Sequence, residues 1–185
     1  MRILGISGSV RRESFNTRLL DAAAEVLPDD VELVRWNGLK AVPPFDEDDE
    51  AGPAPAAVAE LRELLANADA VLFATPEYNG SVPGQLKNAL DWASRPHATN
   101  PLRNLPVAVM GASPGGFGTV WAQADLRRIL SRIGARVLDA ELAVGNAASS
   151  FDEDGPLADD AVREQLEEIV AALSDSARAR EAVAA

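Results

Sequence analysis

The sequence predicts a doubly wound α/β fold, a three-layer α/β/α sandwich with a five-stranded parallel sheet. Short apolar segments alternate five times with longer segments of helical periodicity, and this alternation is typical of successive βαβ units. Most of the apolar segments are continuous rather than alternating, as expected for strands that are buried on both faces. The length of 185 residues is close to that of one domain. We therefore expect a single domain over residues 1–175.

The predicted strands differ in how strongly the sequence marks them. The first is a short apolar run that ends in a Ser/Gly loop, the second alternates, the third and fourth are fully apolar, and the fifth is weaker. Continuous apolar runs of this length, bounded by turn residues, are typical of buried strands. We predict strands at residues 3–6, 31–36, 70–74, 107–110 and 137–144.

The predicted helices are marked by apolar residues at helical spacing and by their terminal residues. The first is stopped by Pro28, the third has Pro83 in its first turn, and the fourth is followed by Gly134 as a C′ residue. We expect the tail at 176–185 to fray. The helices are predicted at residues 16–27, 55–66, 83–93, 119–133 and 159–173, with a long acidic, proline-rich loop over 37–55.

Composition excludes several classes of function. With 17 basic and 29 acidic residues, the formal charge is −12, so binding to nucleic acid or to an anionic membrane surface is not expected. The chain has no cysteine and one histidine, His97, which leaves no thiolate chemistry and little basis for a metal site. We find no signal peptide or membrane-spanning segment and expect a cytoplasmic protein.

The loop after the first strand, residues 7–17, has the composition of a phosphate site. It offers serine hydroxyls, an asparagine, a threonine and two arginines at the start of a helix. Helix N-termini favour anions, and arginine adds charge-assisted hydrogen bonds to phosphate. The alternative is an ordinary capped loop in which Ser14 or Asn16 is only the N-cap. The two interpretations are compatible, but a cap needs only one such side chain.

The residues of this loop exclude two common classes of phosphate-binding loop. The glycine spacing G-x-G-x-x-G and an acid after the second strand, which dinucleotide-binding folds require, are both missing. The only lysines, Lys40 and Lys87, lie outside the loop, so it is not a Walker loop. A terminal monophosphate held by side-chain hydroxyls fits better.

The loops after the third and fourth strands meet the first loop at the carboxyl edge of such a sheet, where ligands bind. Residues 75–84 read TPEYNGSVPG. Asn79 and Gly80 alone suggest a hairpin, but a helix follows, so we predict an irregular turn whose free N–H groups suit a flat heteroaromatic ring. Residues 111–118, GASPGGFG, allow close backbone approach to a ligand.

These motifs resemble the NADPH-dependent FMN reductase family, which includes bacterial chromate and quinone reductases and azoreductase-like enzymes. The similarity rests on the segments Gly8-Ser9 to Asn16-Thr17 and Pro76 to Trp92, and it covers about residues 2–145. It implies a flavodoxin-like fold of strand order 2-1-3-4-5 with bound FMN. It implies that the FMN phosphate is held by Ser9, Arg11, Ser14, Asn16 and Thr17. It implies that the edge of the flavin ring is lined by Pro76, Glu77, Tyr78, Asn79 and Gly80. It implies that the residues near the ring and the ribityl chain are Ser113, Gly115 and Gly116.

The resemblance also implies the reaction. Hydride passes from NADPH or NADH to FMN, and a small molecule such as a quinone, flavin, azo or nitro compound, or metal oxyanion takes the electrons. The cofactor carries this chemistry, so no catalytic side chain and no metal ligand are named. A homodimer or homotetramer is expected. The alternatives are a flavodoxin-type electron carrier that does not react with nicotinamide, and a non-enzymatic binding protein on the same fold.

Other conspicuous side chains are interpreted as structural. We expect His97 to lie in a surface loop and the acidic run 46–50 to be solvated. Trp92 and Trp121 are expected to make packing or subunit contacts, and the role of Trp36 is left open.

Overall fold

The computed structural model describes residues 1–152 and 156–184. The strands are β1 Arg2–Ser7, β2 Glu32–Trp36, β3 Ala70–Ala74, β4 Pro106–Ala112 and β5 Arg136–Val144. The helices are α1 Phe15–Glu25, α2 Ala56–Ala66, α3 Gly84–Ala93, α4 Val120–Ile133 and α5 Asp160–Ala184. Every predicted strand and helix is therefore present, with boundaries that differ by a few residues except at the C-terminus.

All neighbouring strands are parallel, and their order is β2-β1-β3-β4-β5. This confirms the fold class and the strand order. The chain moves outward from β1 to β2, returns to β3 on the other side of β1, and then continues in one direction. The reversal between β1 and β3 leaves a crevice at their carboxyl ends, because the helices that follow these two strands lie on opposite faces.

Two apolar cores, one on each face of the sheet, produce the three layers. Helices α1 and α5 pack on one face, and α2, α3 and α4 pack on the other. Adjacent residues of one strand serve different cores: Leu72 belongs to the first and Phe73 to the second, since successive side chains point to opposite faces. Both residues are fully buried, which explains why this strand reads as a continuous apolar run.

The last helix is longer than predicted, because it continues to Ala184 instead of ending near residue 173. The segment 176–184, which we expected to fray, is thus helical. Ser174 and Ala177 are buried, and Ala177, which is only 1% exposed, extends the apolar stripe of α5 along the sheet. Arg178 also forms an ion pair with Asp30 at 3.0 Å. The segment is rich in alanine, and such small side chains give only a weak apolar pattern in the sequence.

The acidic loop predicted over 37–55 contains two short 3-10 turns, Leu39–Ala41 and Asp48–Ala51. Helix α3 holds it in place. The side-chain amide of Asn88 donates to the Pro43 carbonyl and accepts from the Phe45 N–H, at 2.8 and 2.7 Å. The Trp92 indole N–H also donates to the Pro43 carbonyl, at 3.0 Å. The loop is therefore fixed by side chains of α3, on the β2 side of the molecule.

No helix of the described ranges is long and apolar enough to cross a membrane.

The end of β4 tolerates only glycine at position 111. A Cβ at Gly111 would overlap the hydroxyl of Thr119 and the carbonyl oxygen of Thr75. We expect Gly111→Ala to lower the free energy of unfolding by about 1–3 kcal/mol, because the backbones of β3 and β4 must move apart. Urea denaturation measures this change.

The matched control is Gly84→Ala at the start of α3, where a Cβ meets nothing within 4 Å. This substitution should leave the stability unchanged or raise it by up to about 1 kcal/mol. Equal effects of the two substitutions would contradict the close approach at Gly111.

Candidate functional site

The loops after β1, β3 and β4 meet at the carboxyl edge of the sheet and enclose a cleft of about 70 Å³. All three loops contribute to its lining. The predicted residues that line the cleft are Ser9, Arg11, Ser14, Asn16, Pro76, Glu77, Tyr78 and Ser113. The predicted residues that do not line it are Thr17, Asn79, Gly80, Gly115 and Gly116.

Hydrogen bonds between residues two positions apart in the sequence shape the first loop. Ser14 is the N-cap of α1, and its hydroxyl accepts from the Asn16 N–H at 3.2 Å. The Ser9 hydroxyl accepts from the Arg11 N–H at 3.3 Å. Both serine O–H groups can still donate in these arrangements, because each oxygen acts as the acceptor. The cap and the phosphate interpretations of this loop are therefore compatible at Ser14.

Asn16 is held to the end of β4 by two hydrogen bonds of its side chain. Its side-chain amide donates to the Ala112 carbonyl at 3.0 Å, and its oxygen accepts from the Ala112 N–H at 2.9 Å. The side chain is buried at 3% exposure. Asn16 thus joins the start of α1 to the end of β4, and its amide oxygen is already used. Thr17 also faces its own loop, since its hydroxyl donates to the Ser7 hydroxyl at 3.2 Å.

The second loop forms a tight two-residue turn, so the prediction of an irregular turn was wrong. Tyr78 and Ser81 exchange both backbone hydrogen bonds, at 3.1 and 3.2 Å. Asn79 and Gly80 between them have positive φ, 53° and 73°, as a type I′ turn requires. The Asn-Gly pair therefore forms the turn that is typical of a hairpin, although no second strand follows it.

Side chains of the second loop fasten it to α4. The Glu77 carboxylate accepts from the N–H groups of Trp121 and Ala122 at 3.1 and 3.0 Å. It thereby caps α4, where the N-cap residue itself contributes no side-chain hydrogen bond. The Ser81 hydroxyl donates to the Asp125 carboxylate at 2.7 Å. This hydrogen bond, followed in importance by Arg128, lowers the pKa of Asp125.

The third loop is held by the segment that follows β5. The Gly115 carbonyl accepts from the Asn146 N–H, and the Ser113 carbonyl accepts from the Ala147 N–H, both at 3.0 Å. The Ser113 hydroxyl accepts from the Gly115 N–H at 3.1 Å. A Cβ at Gly145 would overlap the Gly116 carbonyl oxygen. Sequence reasoning missed this support, for which the pair Gly145-Asn146 was the available signal.

Aromatic side chains are exposed beside the cleft. Phe117 is 73% exposed and Trp121 is 52% exposed, and their rings contact each other edge to face at a centroid distance of 5.4 Å. Tyr78 on the second loop is also exposed. Large apolar side chains that remain in solvent around a site are typical of binding surfaces.

The other conspicuous residues lie away from the cleft. His97 is exposed and its Nε2 contacts an Arg95 guanidinium nitrogen at 2.8 Å. In the acidic run, Glu50 pairs with Arg95 at 2.6 Å. Trp92 is buried, and so is Trp36, whose N–H donates to Glu60 at 3.0 Å. Within the described ranges, no group of three or more His, Asp or Glu side chains could hold a metal ion.

The chemistry of the cleft fits a flavin mononucleotide. The first loop combines hydroxyl groups, the arginine Arg11 and the N-terminus of α1, which together suit a phosphate. The second loop presents backbone and an aromatic side chain, which suit the edge of a planar ring. A bound flavin would itself supply the redox chemistry, while the protein binds and orients it.

The strand order and the position of these loops define a protein of the flavodoxin-like class, in which FMN binds where β1 and β3 diverge. Comparison with known proteins identifies the family within this class. Residues 1–149 match the model of the NADPH-dependent FMN reductase family. The chain belongs to this family and is an oxidoreductase that uses FMN and NAD(P)H. This excludes the non-enzymatic alternative and disfavours the electron carrier.

Individual relatives agree with the family. An NAD(P)H-dependent FMN reductase of Pseudomonas aeruginosa is 43% identical over 176 residues, which cover 94% of this chain and 93% of the relative. A quinone reductase of Pseudomonas putida is 39% identical and covers 83% of each chain. The solved structure of a flavoenzyme NAD(P)H:(acceptor) oxidoreductase from Paracoccus denitrificans superposes with a TM-score of 0.87 at 32% identity, covering 96% of this chain and 97% of that one.

The hydrogen bond between Ser81 and Asp125 predicts a pH effect. Because the pKa of Asp125 is lowered in the folded protein, its stabilising contribution is present above the ordinary value of 3.8 and is lost as the pH falls through the lowered value. We expect Ser81→Ala to raise the pKa of Asp125 and to reduce this acid sensitivity. Carboxyl-detected NMR titration measures the change.

Ser94→Ala is the control, since the hydroxyl of Ser94, the C-cap residue of α3, donates to the backbone carbonyl of Asp91. It should leave the titration of Asp125 unchanged. An Asp125 titration that does not respond to Ser81→Ala would show that the hydroxyl does not stabilise the carboxylate.

Proposed function

We propose that this protein is an FMN-dependent NAD(P)H:quinone reductase that holds the FMN phosphate on its first loop. The observation that carries the proposal is the meeting of the three loops in one cleft at the carboxyl edge of the sheet. Ser9, Arg11 and Ser14 come from the first loop, next to the N-terminus of α1. This set of donors suits a dianionic phosphate.

Charge supports this assignment. Arg11 forms no ion pair with any carboxylate among the residues that the structure describes, and it is exposed. In a chain with 29 acidic residues, an arginine that faces a site without a carboxylate partner is available for an anion. We assign Asn16 and Thr17 a positioning role, since their side chains hold the loop to Ala112 and to Ser7.

The second and third loops then receive the ring and the ribityl chain. The turn at Asn79 and Gly80 follows Tyr78, which lines the cleft, and Glu77 and Ser81 fasten this loop to α4. We assign the backbone N–H groups of this turn to the edge of the ring. Such fixed N–H groups can stabilise negative charge on a ring without having to reorganise. Tyr78 lies beside them, and Ser113 and Pro114 line the cleft from the third loop.

Bound FMN supplies hydride acceptance from the nicotinamide and transfer of the electron pair to the acceptor. The overall reaction converts NAD(P)H, a quinone and one proton into NAD(P)+ and the hydroquinone. The protein binds and orients the reactants. The quinone is proposed as acceptor because relatives that match most of this chain are named quinone reductases.

We also infer a homodimer or homotetramer. Phe117 and Trp121 form an exposed aromatic pair beside the cleft, and burial of such a pair against a second copy would remove apolar surface from water. The cytoplasmic location remains a prediction from the sequence.

The experiment that tests the function is anaerobic reduction followed by reoxidation. The purified protein is saturated with FMN, and NADPH is added in the absence of oxygen. We expect rapid loss of the visible flavin absorption, and recovery of the absorption when benzoquinone is added.

Two outcomes would contradict the proposal. Bound FMN that NADPH cannot reduce would indicate an electron carrier. Flavin that is reduced but not reoxidised by benzoquinone would exclude the quinone as acceptor. Free FMN mixed with NADPH at the same concentrations is the control for reduction without the protein.

A further inference from the structure

A second cavity, of about 270 Å³, lies next to the proposed phosphate site. It is bounded by the first loop and by the residues that follow β2. Arg11, Arg12 and Lys40 line it, together with Asn37 and the exposed Val10. No Asp or Glu belongs to its lining, although the chain has 29 acidic residues and a formal charge of −12.

The cations of this cavity are available for a ligand. Arg12 and Lys40 are exposed, and neither forms an ion pair with a carboxylate of residues 1–152 or 156–184. Most other cations of the chain are engaged, for example Lys87 with Asp91 at 2.6 Å. Unpaired cations that converge on one cavity of an acidic protein create a local positive potential, which attracts anions.

A neighbouring groove shows that this charge pattern is local. The larger groove along α1, of about 700 Å³, shares Arg11 and Arg12 with the cavity. Its lining also includes the three carboxylates Glu13, Asp21 and Glu25. Because Arg18 also lines that groove, its positive and negative charges balance, whereas the charged side chains that line the cavity at Lys40 are all cations.

We propose that Arg12 and Lys40 bind the 2′-phosphate of NADPH and thereby give the enzyme its preference for NADPH over NADH. The inference rests on the proposed function, since it concerns the electron donor of that reaction. A guanidinium and an ammonium group together suit a phosphate monoester, with charge-assisted hydrogen bonds from both. The exposed side chain of Val10 provides apolar surface at the edge of the same cavity.

Position favours this phosphate over the phosphate of FMN. It lacks Ser14 and the three-loop enclosure that distinguish the first cleft. The absence of an acid after β2 points the same way, because an acid at that place would repel a 2′-phosphate.

The test compares two probes on the FMN-saturated protein. The probes are 2′,5′-ADP, which carries the 2′-phosphate, and 5′-AMP, which does not. The variants are Arg12→Ala and Lys40→Ala, and isothermal titration calorimetry measures the dissociation constants. We expect each variant to weaken 2′,5′-ADP binding about tenfold, as loss of one charge-assisted contact does, and to leave 5′-AMP binding unchanged.

Two matched controls remove the same charges elsewhere. Lys87→Ala removes the other lysine of the chain, on α3, and Arg132→Ala removes an exposed arginine in the last turn of α4. Both controls should bind 2′,5′-ADP as the unmodified protein does. A general effect of net charge would weaken binding equally in all four variants and would overturn the proposal.

Steady-state kinetics give a second readout. The KM for NADPH should rise about tenfold in Arg12→Ala and Lys40→Ala, while the KM for NADH and both kcat values stay unchanged, because the 2′-phosphate is remote from the reacting atoms. Equal increases in KM for NADPH and NADH would contradict a site that reads the 2′-phosphate.

The affinity for FMN separates the two phosphate sources. If Arg12→Ala and Lys40→Ala weaken FMN binding but not 2′,5′-ADP binding, the cavity serves the flavin phosphate and the proposal is wrong. If neither affinity changes, the proposal is also wrong. Failure of the proposed function would instead appear as unmodified protein that binds 2′,5′-ADP normally but is not reduced by NADPH.

Discussion

The paired hydrogen bonds between the Asn16 side chain and the backbone of Ala112 determine how the site is assembled. They join the start of α1 to the end of β4, two segments that are 96 residues apart in the sequence. Both backbone groups of Ala112 lie at a buried position. Without Asn16 each would lose its partner, at a cost of about 1–3 kcal/mol per group. This amide therefore fixes the first and third loops against each other.

The other loops are held by the same kind of contact. Glu77 caps α4 from the second loop, and the backbone of Asn146 supports the third loop from beyond β5. In each case, a polar group supplied by one segment satisfies backbone groups of another. The loops are thus positioned before any ligand binds, which reduces the conformational entropy that binding must overcome. In the proposed reaction, the protein's contribution is therefore the placement of the reactants.

The sequence predicts the layers of the fold well because both cores leave a direct record in it. Leu72 and Phe73 lie in a run that is apolar without alternation, and this pattern requires burial on both faces of a sheet. The strand order came from the resemblance of the loop motifs rather than from the pattern. The end of α5 was missed because Ser174 and Ala177 are small and give a weak apolar signal, although both are buried.

The site shows a similar division. Local signals located the three loops, since parallel strands bring their carboxyl ends to one edge. The hydrogen bonding of Asn16 to the end of β4 was not predictable, because its partner Ala112 contributes only backbone groups and leaves no side-chain pattern in the sequence. The Asn-Gly pair indicated the turn correctly, but we predicted an irregular turn because a helix, not a second strand, follows it. The cations Arg12 and Lys40 meet across the β1 and β2 loops, a juxtaposition that depends on tertiary structure.

The central claim is that the first loop holds a phosphate through Arg11, within a frame fixed by Asn16. Quenching of flavin fluorescence measures the dissociation constants of FMN and of riboflavin, which lacks the phosphate. In Arg11→Ala, the affinity for FMN should fall by at least about tenfold, while the affinity for riboflavin stays the same. An equal loss for both flavins, or no loss for FMN, would contradict the account.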